Sequence, residues 1–177
     1  LLATIGTSNS IELKDNLQQI IDEFRIKTIS TSPGRIEIDL LNSLNKKLIQ
    51  KFDYSEIEDR LKKIDDRIDR NFWETTRGNL DIVEDIKGWG DIVFNSNPIE
   101  PEDKEFIKIA LDLMPDEPWN DETWSNWTSK IKDKTGKKGK DLFLPLREAF
   151  TGMSYGPEMK KLIQLLGRDK ILERVKI

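Results

Sequence analysis

The spacing of apolar residues constrains this chain more than any other feature. Ile57, Leu61, Ile64, Ile68 and Phe72 recur every three or four positions, the period of one face of an α-helix. The opposite face carries Glu58 with Lys62, Asp59 with Lys63 and Asp66 with Arg70 at four-residue spacing. Each such pair contributes only about 0.2–0.5 kcal/mol, so the apolar stripe is what predicts the helix.

The same period runs through most of the chain. Leu13, Leu17, Ile20, Ile21 and Phe24 share a face after the cap candidates Asn9 and Ser10. Ser32-Pro33-Gly34 reads as a turn, and Ile38, Leu41, Leu44 and Leu48 mark a second helix. Leu80, Val83 and Ile86 resume the pattern after a break near Arg77-Gly78-Asn79, and Gly88-Trp89-Gly90 is expected to end that element. Asn95-Ser96-Asn97-Pro98 is dense in turn formers and is the best linker. Pro101 suits the first position of a helix with Phe106, Ile107, Ala110, Leu111 and Met114 that Pro115 closes. Trp124, Trp127 and Ile131 predict another, with Gly136 past its end. Leu142, Phe143, Leu146 and Phe150 predict a short helix that Pro145 kinks or restarts. Pro157 opens the next, with Met159, Leu162, Ile163 and Leu166 ending at Gly167, and Ile171, Leu172 and Val175 mark a last one.

No long strand-type alternation occurs, so the fold class is all-α. Its expected form is a helical bundle or cage of two packed helical subdomains, residues 49–97 and 98–177, after a short helical remnant at 1–48. A length of 177 residues suits one domain or two small ones.

Two absences exclude much chemistry. The chain has no Cys and no His, so thiolate nucleophiles, zinc knuckles, Ser-His-Asp triads and imidazole ligands are all ruled out. Adjacent carboxylates such as Asp65 with Asp66, or Asp121 with Glu122, diverge by about 100° on a helix and do not converge on a substrate. No apolar run reaches membrane-spanning length, and the chain begins Leu1-Leu2-Ala3. The expectation is a piece of a longer soluble, cytoplasmic protein.

The net charge of −4 hides an asymmetry. Residues 130–177 hold 13 Lys and Arg against 6 Asp and Glu, while residues 1–129 hold 16 against 27. Lys130, Lys132, Lys134, Lys137, Lys138 and Lys140 crowd around Gly136 and Gly139. Both a solvated lysine face and a seat for a phosphate-bearing partner fit this pattern. Arg147 lies just beyond, after Pro145-Leu146. Its planar guanidinium suits stacking on a base or bonding its edge, and equally a surface ion pair with Glu148. Trp124, Trp127, Phe143 and Phe150 read as core.

The run Gly136-Lys137-Lys138-Gly139-Lys140-Asp141-Leu142-Phe143-Leu144-Pro145-Leu146-Arg147-Glu148-Ala149-Phe150-Thr151-Gly152 resembles the anticodon-binding region of bacterial glutamyl-tRNA synthetases. The continuation from Gly156-Pro157-Glu158 to Leu165-Leu166-Gly167-Arg168 fits the same family. Upstream, Ser32-Pro33-Gly34-Arg35 with Leu41 to Leu48 resembles the end of its stem-contact region. Phe72-Trp73, Arg77-Gly78-Asn79-Leu80 and Trp89 resemble an α-proteobacterial subtype.

The resemblance implies an aminoacyl-tRNA ligase that joins glutamate to tRNA using ATP and magnesium, with that chemistry in a catalytic domain this chain lacks. It implies no catalytic residue here and a role in holding the tRNA anticodon arm. Arg147 matches the family's base-reading arginine, and Gly156, Pro157 and Met159 match the segment that cradles the anticodon. Asn79 falls where some members carry an arginine for the last anticodon base, with Arg77 two residues away as a substitute. Lys137, Lys138 and Lys140 are the expected phosphate contacts. The expected partner is tRNA-Glu, with tRNA-Gln as a second candidate, bound by a monomer with no membrane role. A rival reading is a helical protein–protein interaction module using the Trp-rich face.

Overall fold

The computed structural model describes residues 4, 6–7, 11–14, 16–30 and 38–177. Their order is α1 (Leu17–Glu23), α2 (Ile38–Lys51), α3 (Tyr54–Ile64), α4 (Arg70–Thr76), α5 (Ile86–Phe94), α6 (Lys104–Asp112), α7 (Thr123–Thr135), α8 (Lys140–Thr151) and α9 (Met159–Arg174). Single 3-10 turns occur at Ile26–Thr28, Arg77–Asn79 and Val83–Asp85. Among the described residues the architecture is all-α. The one extended contact is an isolated parallel bridge between Ile99 and Val175.

The cap candidates Asn9 and Ser10 and the 32–34 turn lie outside the described residues. Asn16 caps α1 instead, accepting from the Gln19 N–H at 3.0 Å, so Leu13 precedes the helix. Ile20 of α1 and Phe24, just past its end, face Leu41, Leu44 and Leu48 of α2 across a cavity of about 620 Å³. Ile49 is the one α2 residue that enters the core. Beyond it, α2 docks on the 77–81 segment, where Asn45 donates to the Asp81 carbonyl and Lys46 pairs with the Asp81 carboxylate at 3.0 Å.

The helix expected across Ile57 to Phe72 is two helices. Asp65 takes an extended conformation and its carboxylate accepts from the Arg67 N–H at 3.0 Å and from the Arg67 guanidinium at 2.7 and 2.9 Å. Asp69 then caps α4 by accepting from the Phe72 N–H at 2.7 Å. Short carboxylates bonding nearby backbone offer an alternative to the helix ladder, and here they interrupt it. The stripe still reaches the core, because Ile57, Leu61, Ile68 and Phe72 are all buried. The expected i,i+4 pairs do not form. Lys62 donates to the Asp66 carbonyl, and Arg70 approaches Glu74 and Asp53 at 3.7 and 3.9 Å.

Gly88-Trp89-Gly90 does not end its element, since α5 continues to Phe94. Each helical glycine costs about 1 kcal/mol relative to alanine. Burying Ile86, Trp89 and Val93 returns roughly 1.5–3 kcal/mol per side chain, which outweighs it. Pro101 precedes α6 and is not its first residue. Asp103 caps that helix through the Phe106 N–H at 3.0 Å. Likewise Glu158, not Pro157, stands immediately before α9. Pro145 lies inside α8 without restarting it. Gly167 breaks α9 with φ 72° and ψ 166°, a backbone state open to glycine, so residues 168–174 form a second helical segment, as the apolar pattern anticipates.

One buried cluster joins these helices from Ile49 to Val175. Trp127 stacks on Phe150 with ring centroids 5.4 Å apart and donates to the Ala110 carbonyl at 2.8 Å. Arg174 is 2% exposed and donates to the carbonyls of Phe150, Ile92 and Asn95 at 3.0–3.1 Å. That guanidinium ties the end of α5, the end of α8 and the chain's last turn together.

Candidate nucleic-acid interface

The basic stretch folds into the end of α7, a glycine-punctuated turn and the start of α8. Lys130, Lys132, Lys134, Lys138 and Lys140 are exposed. Lys137 is held differently. Its ammonium lies 2.7 Å from the Asp103 carboxylate and 4.2 Å from the centre of the Phe106 ring, so two groups of α6 and its cap occupy it.

Arg147 projects from α8 into an open cleft of about 410 Å³ lined with Trp124, Phe143, Glu158, Met159 and Lys160. Its Nη2 donates to the Pro157 carbonyl at 2.9 Å. Its Nη1 is buried and has no hydrogen-bond partner. Burial holds this guanidinium below its ordinary pKa, and no carboxylate pairs with it, so the ion pair with Glu148 is not formed. A buried charged donor without an acceptor is unusual in a folded protein.

Gly156 and Pro157 do not line the cleft, and the Pro157 carbonyl reaches it only through its bond to Arg147. Gly156 has φ 137°, and a Cβ there would lie 2.2 Å from Cη2 of Trp89. Met159, the first residue of α9, is buried. The structure therefore brings Arg147, Pro157 and Met159 together, with Gly156 immediately behind.

Arg77 and Asn79 stand apart from that group, on the 3-10 turn after α4. Arg77 donates to the Phe52 carbonyl at 2.8 Å, an acceptor it shares with the Trp73 indole at 3.2 Å. Asn79 is exposed.

Phe143 is 44% exposed and belongs to the cleft, not to the core. Its ring sits 6.4 Å from that of Trp124, which packs edge-on against Trp127 at 5.9 Å. Sequence reasoning missed Phe143, Trp124, Glu158 and Lys160 as cleft residues. The usable signal was the four-residue spacing of Phe143 and Arg147, which places both on one face of α8.

Comparison with known proteins follows the same lines. A family model described as "Anticodon binding domain" matches residues 40–177. The chain is 39% identical over 178 residues to "Glutamate--tRNA ligase 1" of Bartonella quintana, covering 98% of this chain and 39% of that protein. It is 35% identical over 177 residues to "Glutamate--tRNA ligase 1" of Anaplasma marginale, covering 99% of this chain and 40% of that one. The chain thus spans about two fifths of the length of these curated relatives. The crystal structure of a glutamate–tRNA synthetase from Elizabethkingia anophelis shares the fold, with TM-score 0.70 over 88% of this chain and 34% of that one at 15% identity. Nothing in these comparisons supports the protein–protein adaptor reading. With a family model covering most of its length and a cationic, aromatic-lined cleft at the matched motif, the chain belongs to the anticodon-binding domain family.

Proposed function

We propose that this chain holds the anticodon arm of a tRNA as the anticodon-binding part of a glutamate–tRNA ligase. The observation that carries this reading is the Arg147 side chain, which lines an open cleft with Nη2 engaged by the Pro157 carbonyl and Nη1 buried without a partner. An unstacked base entering the cleft lies against Phe143 and Trp124 and bonds the Arg147 guanidinium on its edge. Met159 lines the wall, with Pro157 and Gly156 behind it.

Lys138 and Lys140 neutralise backbone phosphates, which position the loop without reading sequence. Lys137, tied to Asp103, adds to the local field and contacts phosphate only by leaving that partner. Asn79 or Arg77 meets the last anticodon base from the first helical subdomain. Residues 1–48 close the stem-contact region, with 49–97 and 98–177 as the two anticodon-binding subdomains.

In the whole protein, glutamate is joined to tRNA with ATP and magnesium by residues outside this chain. Among the described residues no group of three or more Asp or Glu is arranged to hold a metal ion. The relatives are bacterial ligases and no described helix is long and apolar enough to cross a membrane. The family reading adds a cytoplasmic monomer serving tRNA-Glu, with tRNA-Gln as a second substrate because Asn79 lacks a charge.

The test is to titrate tRNA-Glu and tRNA-Gln transcripts against the wild-type chain and N79R. The reading expects N79R to shift preference toward one transcript while both still bind. Failure of either transcript to bind the wild-type chain contradicts it.

A further inference from the structure

We infer that Trp89 is a positioning residue for Arg147, setting the guanidinium through Gly156 and the Pro157 carbonyl. The inference rests on the reading of Arg147 as a base contact.

Trp89 is carried by α5, far in sequence from the cleft, and is 5% exposed. The outer edge of its indole lies directly under Gly156. A Cβ at 156 would meet Cη2 at 2.2 Å and both Cζ2 and Cζ3 at 3.0 Å, well inside van der Waals contact. The backbone at 156 therefore rests on the ring, in a φ of 137° that side-chain-bearing residues rarely adopt. Pro157 follows at once, with its own φ restricted by the pyrrolidine ring. Little freedom separates the indole surface from the Pro157 carbonyl.

That carbonyl is the acceptor that holds Arg147. It takes Nη2 at 2.9 Å, and since the guanidinium is rigid and planar, fixing Nη2 fixes the direction of the unpaired Nη1. The order of action is Trp89, Gly156, Pro157 carbonyl, Arg147 plane. Trp89 on α5 thereby sets the plane of a guanidinium on α8, and Trp89 itself lines no part of the cleft.

Trp89→Phe removes the indole's outer atoms while keeping an aromatic ring on α5. Side-chain NMR of the 177-residue chain, labelled at arginine, reads the consequence without RNA. Arg147 should show distinct, slowly averaging Nη signals in wild type and fast-averaged ones in W89F. Arg174, held by carbonyls elsewhere, should keep its pattern in both and so report an intact fold. Unchanged Arg147 signals in W89F overturn the inference, and so does simultaneous collapse of the Arg174 pattern, which would make Trp89 a general packing residue.

The RNA arm separates this inference from the reading beneath it. W89F should weaken anticodon-loop binding about five- to tenfold in wild type and less than about twofold in an R147A background. Equal losses in the two backgrounds overturn the positioning role while leaving Arg147 as a contact. No loss from R147A itself removes the base contact, and the positioning role with it.

Discussion

Lys137 and Asp103 are locked together at 2.7 Å, and the same carboxylate caps α6 through the Phe106 N–H. One carboxylate thus serves a helix end and withholds one lysine from an otherwise exposed basic cluster. Asn caps helices as well as Asp does, so D103N keeps the cap and loses the charge. Thermal denaturation should place D103N close to wild type, whereas D103A loses about 1 kcal/mol with the cap. RNA titration should show D103N binding a few-fold more tightly and with a steeper salt dependence, because Lys137 is released and a negative charge is gone.

The pH dependence of folding follows from carboxylates alone. The Arg67 guanidinium bonded to Asp65 holds its carboxyl below the usual range, and Lys137 does the same for Asp103. Arg60 lowers Glu84, Lys104 lowers Glu100, and Ser96 with Lys170 lowers Glu173. A folded pKa below the unfolded one contributes stability that is complete above the unfolded value, about 4 for carboxylates, and fades as pH falls through the folded value. With no histidine in the chain, the Tm should stay nearly level between about pH 5.5 and 8 and fall below about pH 4. A transition near neutral pH would contradict this.

Arg174 presents the opposite case, a buried cation whose described partners are all carbonyls. R174M fills the space and leaves the Phe150, Thr151, Ile92 and Asn95 carbonyls without their donor. The buried orphans, at Phe150 and Thr151, cost about 1–3 kcal/mol each, so urea denaturation should show a loss of about 2 kcal/mol or more. A loss under about 1 kcal/mol would mean that water replaces the guanidinium.

These particulars show what the sequence made legible. Helices were readable wherever an apolar stripe met a core, as in α3 with Ile57 and Leu61 or α7 with Trp127 and Ile131. The break at Asp65 was not, because periodicity tracks the buried face and is blind to a carboxylate bonding its own backbone. Asp65, Asp66 and Asp69 together were the overlooked sign. Lys137 and Lys138 look alike in sequence, and only the packing of α6 beside the turn separates an occupied ammonium from an exposed one. Phe143 read as core because apolar residues usually are, whereas the cleft needs an exposed ring beside Arg147. The inward seat of Arg174 had no local signal, since its partners lie 23 to 82 residues away.

The cationic turn carries its own expectation. Lys138 and Lys140 are exposed and position phosphates, so K138A/K140A should weaken every RNA hairpin alike. Each lost phosphate contact should flatten the slope of log affinity against log salt by about 0.7–0.9, which filter binding resolves.

The most direct test compares an RNA hairpin bearing the tRNA-Glu anticodon with the same hairpin carrying a scrambled loop, each titrated against wild type and R147A. R147A should lose about 1–3 kcal/mol on the anticodon hairpin and little on the scrambled one, erasing the wild-type preference. Equal affinities of wild type and R147A for both hairpins would contradict the account at its centre.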